Sequence, residues 1–140
     1  MGADRNMLVT RPVKLKVIVT EEFKKELQDS MQAALDRLSS SAQRLQFQMD
    51  AYVPELAKTD MNQAIQVRRA LETERQKFED AKKEMRDRME EAKKLEMGTE
   101  YEQGELQSVV EIKAGDSFEV KMGQAEIVVK DGQVMEIRGD

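Results

Sequence analysis

The chain has 140 residues, of which 36% are charged, and a net charge of −5. It contains no cysteine, histidine or tryptophan. A disulfide framework and a Cys/His zinc site are therefore excluded, and a reducing compartment is expected. There is no apolar run of about 18 residues to span a bilayer. The N-terminus shows no apolar stretch followed by a small-residue cleavage site. We therefore expect a cytoplasmic bacterial or organellar protein without membrane association.

The charge is uneven along the chain. Residues 1–20 carry four basic and one acidic side chain, residues 21–97 fifteen and seventeen, and residues 98–140 four and ten. An acidic C-terminal part is a poor non-specific phosphate binder, because affinity for nucleic acid grows with each phosphate neutralised by Lys or Arg. Glycine divides the sequence in the same way: six of seven lie after position 97 and none lies between 3 and 97. A long helical middle and a turn-rich tail follow.

Residues 1–11 are expected to be a flexible N-terminus, and 12–20 a strand. Val13–Val19 alternates apolar and basic side chains and then becomes solidly apolar. Thr20 can cap the next helix, with Glu21 and Glu22 in its positive first turn. In that helix Met31, Leu35, Leu38, Ala42, Leu45, Met49, Tyr52 and Leu56 recur at alternating spacings of four and three, the a/d seam of a coiled coil. Pro54 should kink or loosen its end.

A second helix begins after Asp60, which with Gln63 resembles a capping box. Leu71, Phe78, Met85 and Ala92 recur every seven residues, and Val67, Ala81 and Leu95 form a partial second seam broken by Glu74 and Arg88. Glu79 with Lys83, Glu84 with Arg88 and Glu90 with Lys94 stand as favourable i,i+4 pairs. Gly98 can end the helix in a left-handed cap. The span 21–97 turns near 58–60, with two arms of roughly equal length. A hairpin is predicted, each arm about 55 Å long at 1.5 Å per residue.

Residues 98–140 read as an antiparallel β module. Its predicted strands are Leu106–Lys113, Ser117–Met122, Gln124–Lys130 and Gln133–Arg138. For the last hairpin a three-residue loop is expected, pairing Ile127 with Met135 and Ala125 with Ile137. That register gathers the apolar residues on one face. The predicted fold is α+β: a long antiparallel coiled-coil hairpin attached to a small antiparallel β-sheet or barrel formed by the N-terminal and C-terminal strands.

Little in the sequence carries catalysis. Ser39-Ser40-Ser41 lies mid-helix without a nearby base, the carboxylates show no metal-loop spacing, and the glycines form no phosphate loop. No catalytic, cofactor or metal site is expected, and no cofactor. The candidate surfaces lie on the hairpin. Phe47 falls at heptad position f, away from the intrachain seam, and Ala33, Ser40 and Pro54 share that position. Between Leu38 and Met49 the only charged residue is Arg44. This stripe predicts self-association, hence a homo-oligomer, or a partner surface. At the hairpin tip Tyr52, Val53, Leu56 and Met61 could contact unfolded clients, as in a prefoldin-like holdase. Six methionines in the helical span suit core packing or an adaptable client surface. Arg68, Arg69, Arg75, Lys77, Lys82, Lys83, Arg86, Arg88, Lys93 and Lys94 could line an RNA backbone. Eight acids between Glu72 and Glu91 are interleaved with them, which favours a solvated, ion-paired face.

The chain resembles the YlqD family of small bacterial proteins. The residues that carry the likeness are Val17-Ile18-Val19-Thr20-Glu21-Glu22-Phe23-Lys24, Leu45-Gln46-Phe47-Gln48, Leu95-Glu96-Met97-Gly98, Val110 through Phe118, Lys121-Met122-Gly123 and Glu126 through Gly132. The likeness extends over nearly everything beyond residue 12. The family has no established activity, so no catalytic residue carries over. In Firmicutes its members tend to be encoded near a KH-type RNA-binding protein and ribosome-maturation factors. The resemblance thus implies an interaction or scaffold protein linked to ribosome or RNA metabolism, with a protein partner in translation or RNA maturation.

Overall fold

The computed structural model describes residues 5–139. The elements in chain order are β1 (Asn6–Ile18), α1 (Glu21–Thr59), α2 (Met61–Lys93), β2 (Glu100–Lys113), α3 (Phe118–Met122), β3 (Ala125–Lys130) and β4 (Gln133–Arg138). They form two compact units, one of residues 25–94 and one made from both ends of the chain.

The helical unit is the predicted hairpin. Asp60 alone separates the two helices; its backbone is extended and its carboxylate accepts the Gln63 amide at 3.0 Å, which starts α2. Opposite arms meet in antiparallel register. Gln28 Nε2 donates to the Met89 carbonyl at 3.1 Å, and Met49 and Val53 share a depression with Arg68 and Glu72. Ala42, Met49, Ala64 and Ala92 are buried.

The seam departs from the predicted heptad at two places. Val53 is half-buried where the spacing assigned Tyr52, which is exposed, so the stripe steps by four from Met49 to Val53 and by three from there to Leu56. On α2, Arg75, Lys82 and Met89 are half-buried where Glu74 and Arg88 would have interrupted the stripe. Long basic side chains can lay their aliphatic stems along an apolar seam and keep the charge in water. α1 continues through Pro54 to Thr59. Of the expected i,i+4 pairs Glu84–Arg88 forms at 2.8 Å, whereas Glu79 and Glu90 bond Lys82 and Lys93 three residues on.

In the other unit a four-stranded sheet has the order β2-β1-β3-β4. The first strand begins at Asn6, so residues 6–11, expected to be flexible, are strand; residues 1–4 lie outside the described residues. β2 begins at Glu100 rather than Leu106 and runs antiparallel beside β1 from end to end, with a bulge at Leu15/Lys16. β3 lies parallel to β1, so the sheet is mixed rather than antiparallel. The chain reaches β3 from β2 by crossing over β1.

The crossover carries a further correction. Ser117–Met122, expected to be a strand, contains the short helix α3, with Ser117 as its N-cap. A serine hydroxyl that meets the first free amides of a turn outweighs a brief apolar alternation.

The β3–β4 hairpin is tighter than predicted. Lys130 pairs Gln133 across Asp131-Gly132, whose φ angles are +49° and +84°, the positive-φ turn that Asp-Gly favours. A bulge after Val128 then opposes Ile127 to Ile137. Neither Met135 nor Ile137 reaches the core; they are 59% and 70% exposed.

Arg11, Val13 and Val17 of β1, and Val19 just beyond it, are buried at alternating positions. Tyr101, opposite Val17, meets Phe23 of the first turn of α1 with ring centroids 5.6 Å apart. Gly98 does not cap α2, which ends at Lys93 with Lys94 in a right-handed conformation. Instead Gly98, at φ +83°, turns the chain so that its amide reaches Val19 O at 2.8 Å, while the Val19 amide reaches Thr99 O at 2.8 Å. The return of Gly98 to Thr20 is thereby fixed in backbone hydrogen bonds.

Candidate functional site

The hairpin seam uses heptad positions a and d, which leaves f on the far side of α1. Ala33, Ser40, Phe47 and Pro54 are all exposed, and Phe47 is 73% exposed. Two of the four share a feature. A shallow cavity of about 720 Å³ is lined by Asp36, Arg37, Ser40, Ser41, Arg44 and Phe47, among others. Ala33 lies outside it, and Pro54 lines a separate depression between the two helices.

The charges beside the stripe are arranged by flank. Position b holds Asp29, Asp36, Gln43, Asp50 and Ala57, and position c holds Ser30, Arg37, Arg44, Ala51 and Lys58. Asp36 and Asp50 accept from the amides of Gln32 and Gln46 at 3.0 Å. Arg44 donates to Ser41 Oγ at 3.2 Å. Among the described residues, Asp29, Asp36, Asp50, Arg37 and Arg44 form no ion pair.

α2 is the opposite case. Arg75, Lys77, Lys82, Arg88, Lys93 and Lys94 each bond a glutamate on the same helix, between 2.8 and 3.8 Å. Six of the ten basic residues proposed to face RNA are thus already engaged. Local pairs of this kind stabilise a helix by a few tenths of a kcal/mol each, about 0.2–0.5.

The four tip residues do not form one exposed patch. Tyr52 and Met61 are 54% and 60% exposed, while Val53 and Leu56 turn into the seam. Ile65, 43% exposed and one turn beyond Met61, belongs with them and was missed. Its i+4 spacing from Met61 was the available signal. On the sheet, Leu8 and Val109 are 70% and 63% exposed and lie diagonally across the β1–β2 ladder, a contact that strand periodicity alone does not reveal. No group of three or more acidic residues among the described residues is placed to hold a metal ion, and none of their helices is long and apolar enough to cross a membrane.

An ion ladder crosses the whole sheet on the side away from Arg11. Lys16 on β1 meets Glu126 on β3 at 3.1 Å and Glu100 on β2 at 3.9 Å. Arg138 on β4 meets Glu126 at 3.3 Å, Glu136 at 3.1 Å and Glu100. β2 and β4 are the two outer strands, so a contact between Glu100 and Arg138 requires the sheet to curl. Hydrogen bonding from Arg138 holds the Glu100 carboxyl below its ordinary range, and hydrogen bonding from Lys16 does the same for Glu126.

A helical hairpin that falls in the chain between β1 and β2 of a small mixed sheet, with charge and apolar surface displayed along one helix, defines an α+β protein of the helical-hairpin type. This chain belongs to the YlqD family: the model of the YlqD protein matches residues 7–138. It is 28% identical over 132 residues to the uncharacterized protein YlqD of Bacillus subtilis (strain 168), covering 94% of this chain and 98% of that one. The crystal structure of a protein of unknown function from Synechococcus sp. WH 8102 shares the fold, with a TM-score of 0.88, 24% identity, and coverage of 99% of this chain and 98% of that one.

Proposed function

We propose that this is a non-enzymatic cytoplasmic interaction protein that acts through the outward face of α1, and that its first partner is another copy of itself. One observation carries the reading. Phe47 is 73% exposed on the side of α1 that the intrachain seam does not use, beside a cavity it helps to line. A large aromatic ring loses most from contact with water and gains most from a packed partner. The setting we propose, translation or RNA maturation, rests on the genomic company implied by the family resemblance.

The other readings find less support. A holdase surface at the tip is reduced to Tyr52, Met61 and Ile65, and an RNA face on α2 has most of its cations engaged by glutamates. Light scattering on the purified chain at several concentrations tests the reading. The wild-type mass is expected to exceed that of one chain, and Phe47→Glu is expected to lower it. A mass unaffected by Phe47→Glu overturns it.

A further inference from the structure

We propose that α1 pairs with α1 of a second copy in parallel and in register, so that Ala33, Ser40 and Phe47 each meet their own counterpart across a two-fold axis. The inference rests on the self-association reading above and adds the partner's orientation. What decides it is the separation of charge on α1. In the helical unit the charged residues of the b flank are all acids, Asp29, Asp36 and Asp50, and those of the c flank all bases, Arg37, Arg44 and Lys58, the last of them bonded to Glu55 at 3.0 Å.

Two-fold symmetry turns this separation into a choice of direction. When two identical helices pack in parallel about an axis along their length, the flank on the left of one faces the flank on the right of the other. Acidic b then lies against basic c, as g lies against e in a parallel coiled coil. When they pack antiparallel, the axis is perpendicular to the helices and each flank faces itself. Asp36 and Asp50 would then share one edge with their copies, and Arg37 and Arg44 the other. Like charges brought together are strongly disfavoured in an interface.

The chain's own pairing supports the same conclusion. On α2 acids and bases alternate and neutralise one another at i,i+3 and i,i+4. On the outer face of α1 Asp36 and Arg37 are adjacent in sequence, so they point about 100° apart on the helix and cannot meet. In the parallel dimer Asp36 of one copy reaches Arg37 of the other, twice. Small Ala33 and Ser40 let the backbones approach, and the two Phe47 rings come within aromatic contact.

The absence of cysteine makes the test direct. Ala33→Cys and Ser40→Cys are made separately, each sparing Phe47, and oxidised mildly at dimer concentration. Parallel in-register pairing brings both substitutions onto the axis, so both variants should give disulfide-linked dimers in high yield. An antiparallel pair can centre on only one of them, because seven residues from the centre the copies are about 21 Å apart, beyond disulfide reach.

Charge reversal gives an independent sign. Asp36→Arg should raise the dimer dissociation constant several-fold, and Asp36→Arg/Arg37→Asp should restore it. Crosslinking of at most one cysteine variant, or a tighter dimer with Asp36→Arg, overturns the parallel arrangement. If Phe47→Glu still dissociates the protein, the self-association reading survives that result. A wild-type chain that is monomeric throughout overturns both.

Discussion

Thr20 Oγ1 donates to Asp131 Oδ1 at 2.8 Å while accepting the Phe23 amide at 3.1 Å. One hydroxyl therefore caps the first turn of α1 and ties it to the tight turn between β3 and β4, 111 residues away in sequence.

Removing the hydroxyl should destabilise both features. Thr20→Val is expected to lower unfolding free energy by about 0.5–2 kcal/mol, the usual range for loss of an N-cap, and Thr20→Ser by much less. Asp131→Ala should also be harmful, because it loses the acceptor and places a β-carbon side chain without local hydrogen bonding at φ +49°. Asp131→Asn keeps both an oxygen and tolerance of that conformation. Urea denaturation of the four variants would reveal the order, and an unaltered midpoint for Thr20→Val would refute the double role.

The ion ladder predicts a response to acid. Glu100 and Glu126 titrate lower in the folded chain than the free-peptide value of about 4.3. Their contribution is complete above that value and is lost as pH falls through the lowered folded values. Denaturant midpoints should therefore drop on acidification below about pH 4.3, and Glu100→Gln/Glu126→Gln should flatten that part of the curve. Added salt should weaken it as well, because these groups are in contact with solvent. A double variant with the same acid slope as the wild type would show that the ladder contributes nothing.

Two methionines on the hairpin should behave differently. Met49 is 6% exposed and Met61 is 60% exposed. Met49→Ala removes packed atoms and leaves a cavity, for which about 2–5 kcal/mol is expected. Met61→Ala changes a solvated side chain and should stay within about 0.5 kcal/mol of the wild type. Equal thermal shifts for the two would mean that the helices do not pack through the seam described.

Arg11 is 5% exposed and forms no ion pair among the described residues. It donates to the Lys121 and Gly123 carbonyls at 3.1 and 3.3 Å, and its Nε has no partner. It fastens the crossover segment to β1. Arg11→Ala should leave two carbonyls without a donor, at about 1–3 kcal/mol for a buried unsatisfied group, and free α3. Hydrogen exchange is the measurement: faster exchange confined to 118–123 is expected, and unchanged protection there would rule out the fastening role.

The helical half of this protein was readable because its information is local. Heptad spacing, a polar turn at 58–60 and the Asp60 cap act within a few residues of each other, and they set helix lengths, the turn and the exposed f stripe with Phe47 on it. Substituting Val53 for Tyr52 in the seam needed the partner helix, since both side chains lie near the same edge.

The β half was readable only in outline. That residues 13–18 and most of the tail make strands followed from alternation, but strand order and direction are long-range choices. Only the folded chain shows that β3 runs parallel beside β1, that strand pairing extends β1 back to Asn6, and that α3 crosses over Arg11. A period of two says which residues share a face and nothing about which strand lies alongside. Backbone hydrogen bonds between distant segments and the burial of Val13, Val17 and Val19 make that choice, and a sequence read from its neighbours outward does not contain it.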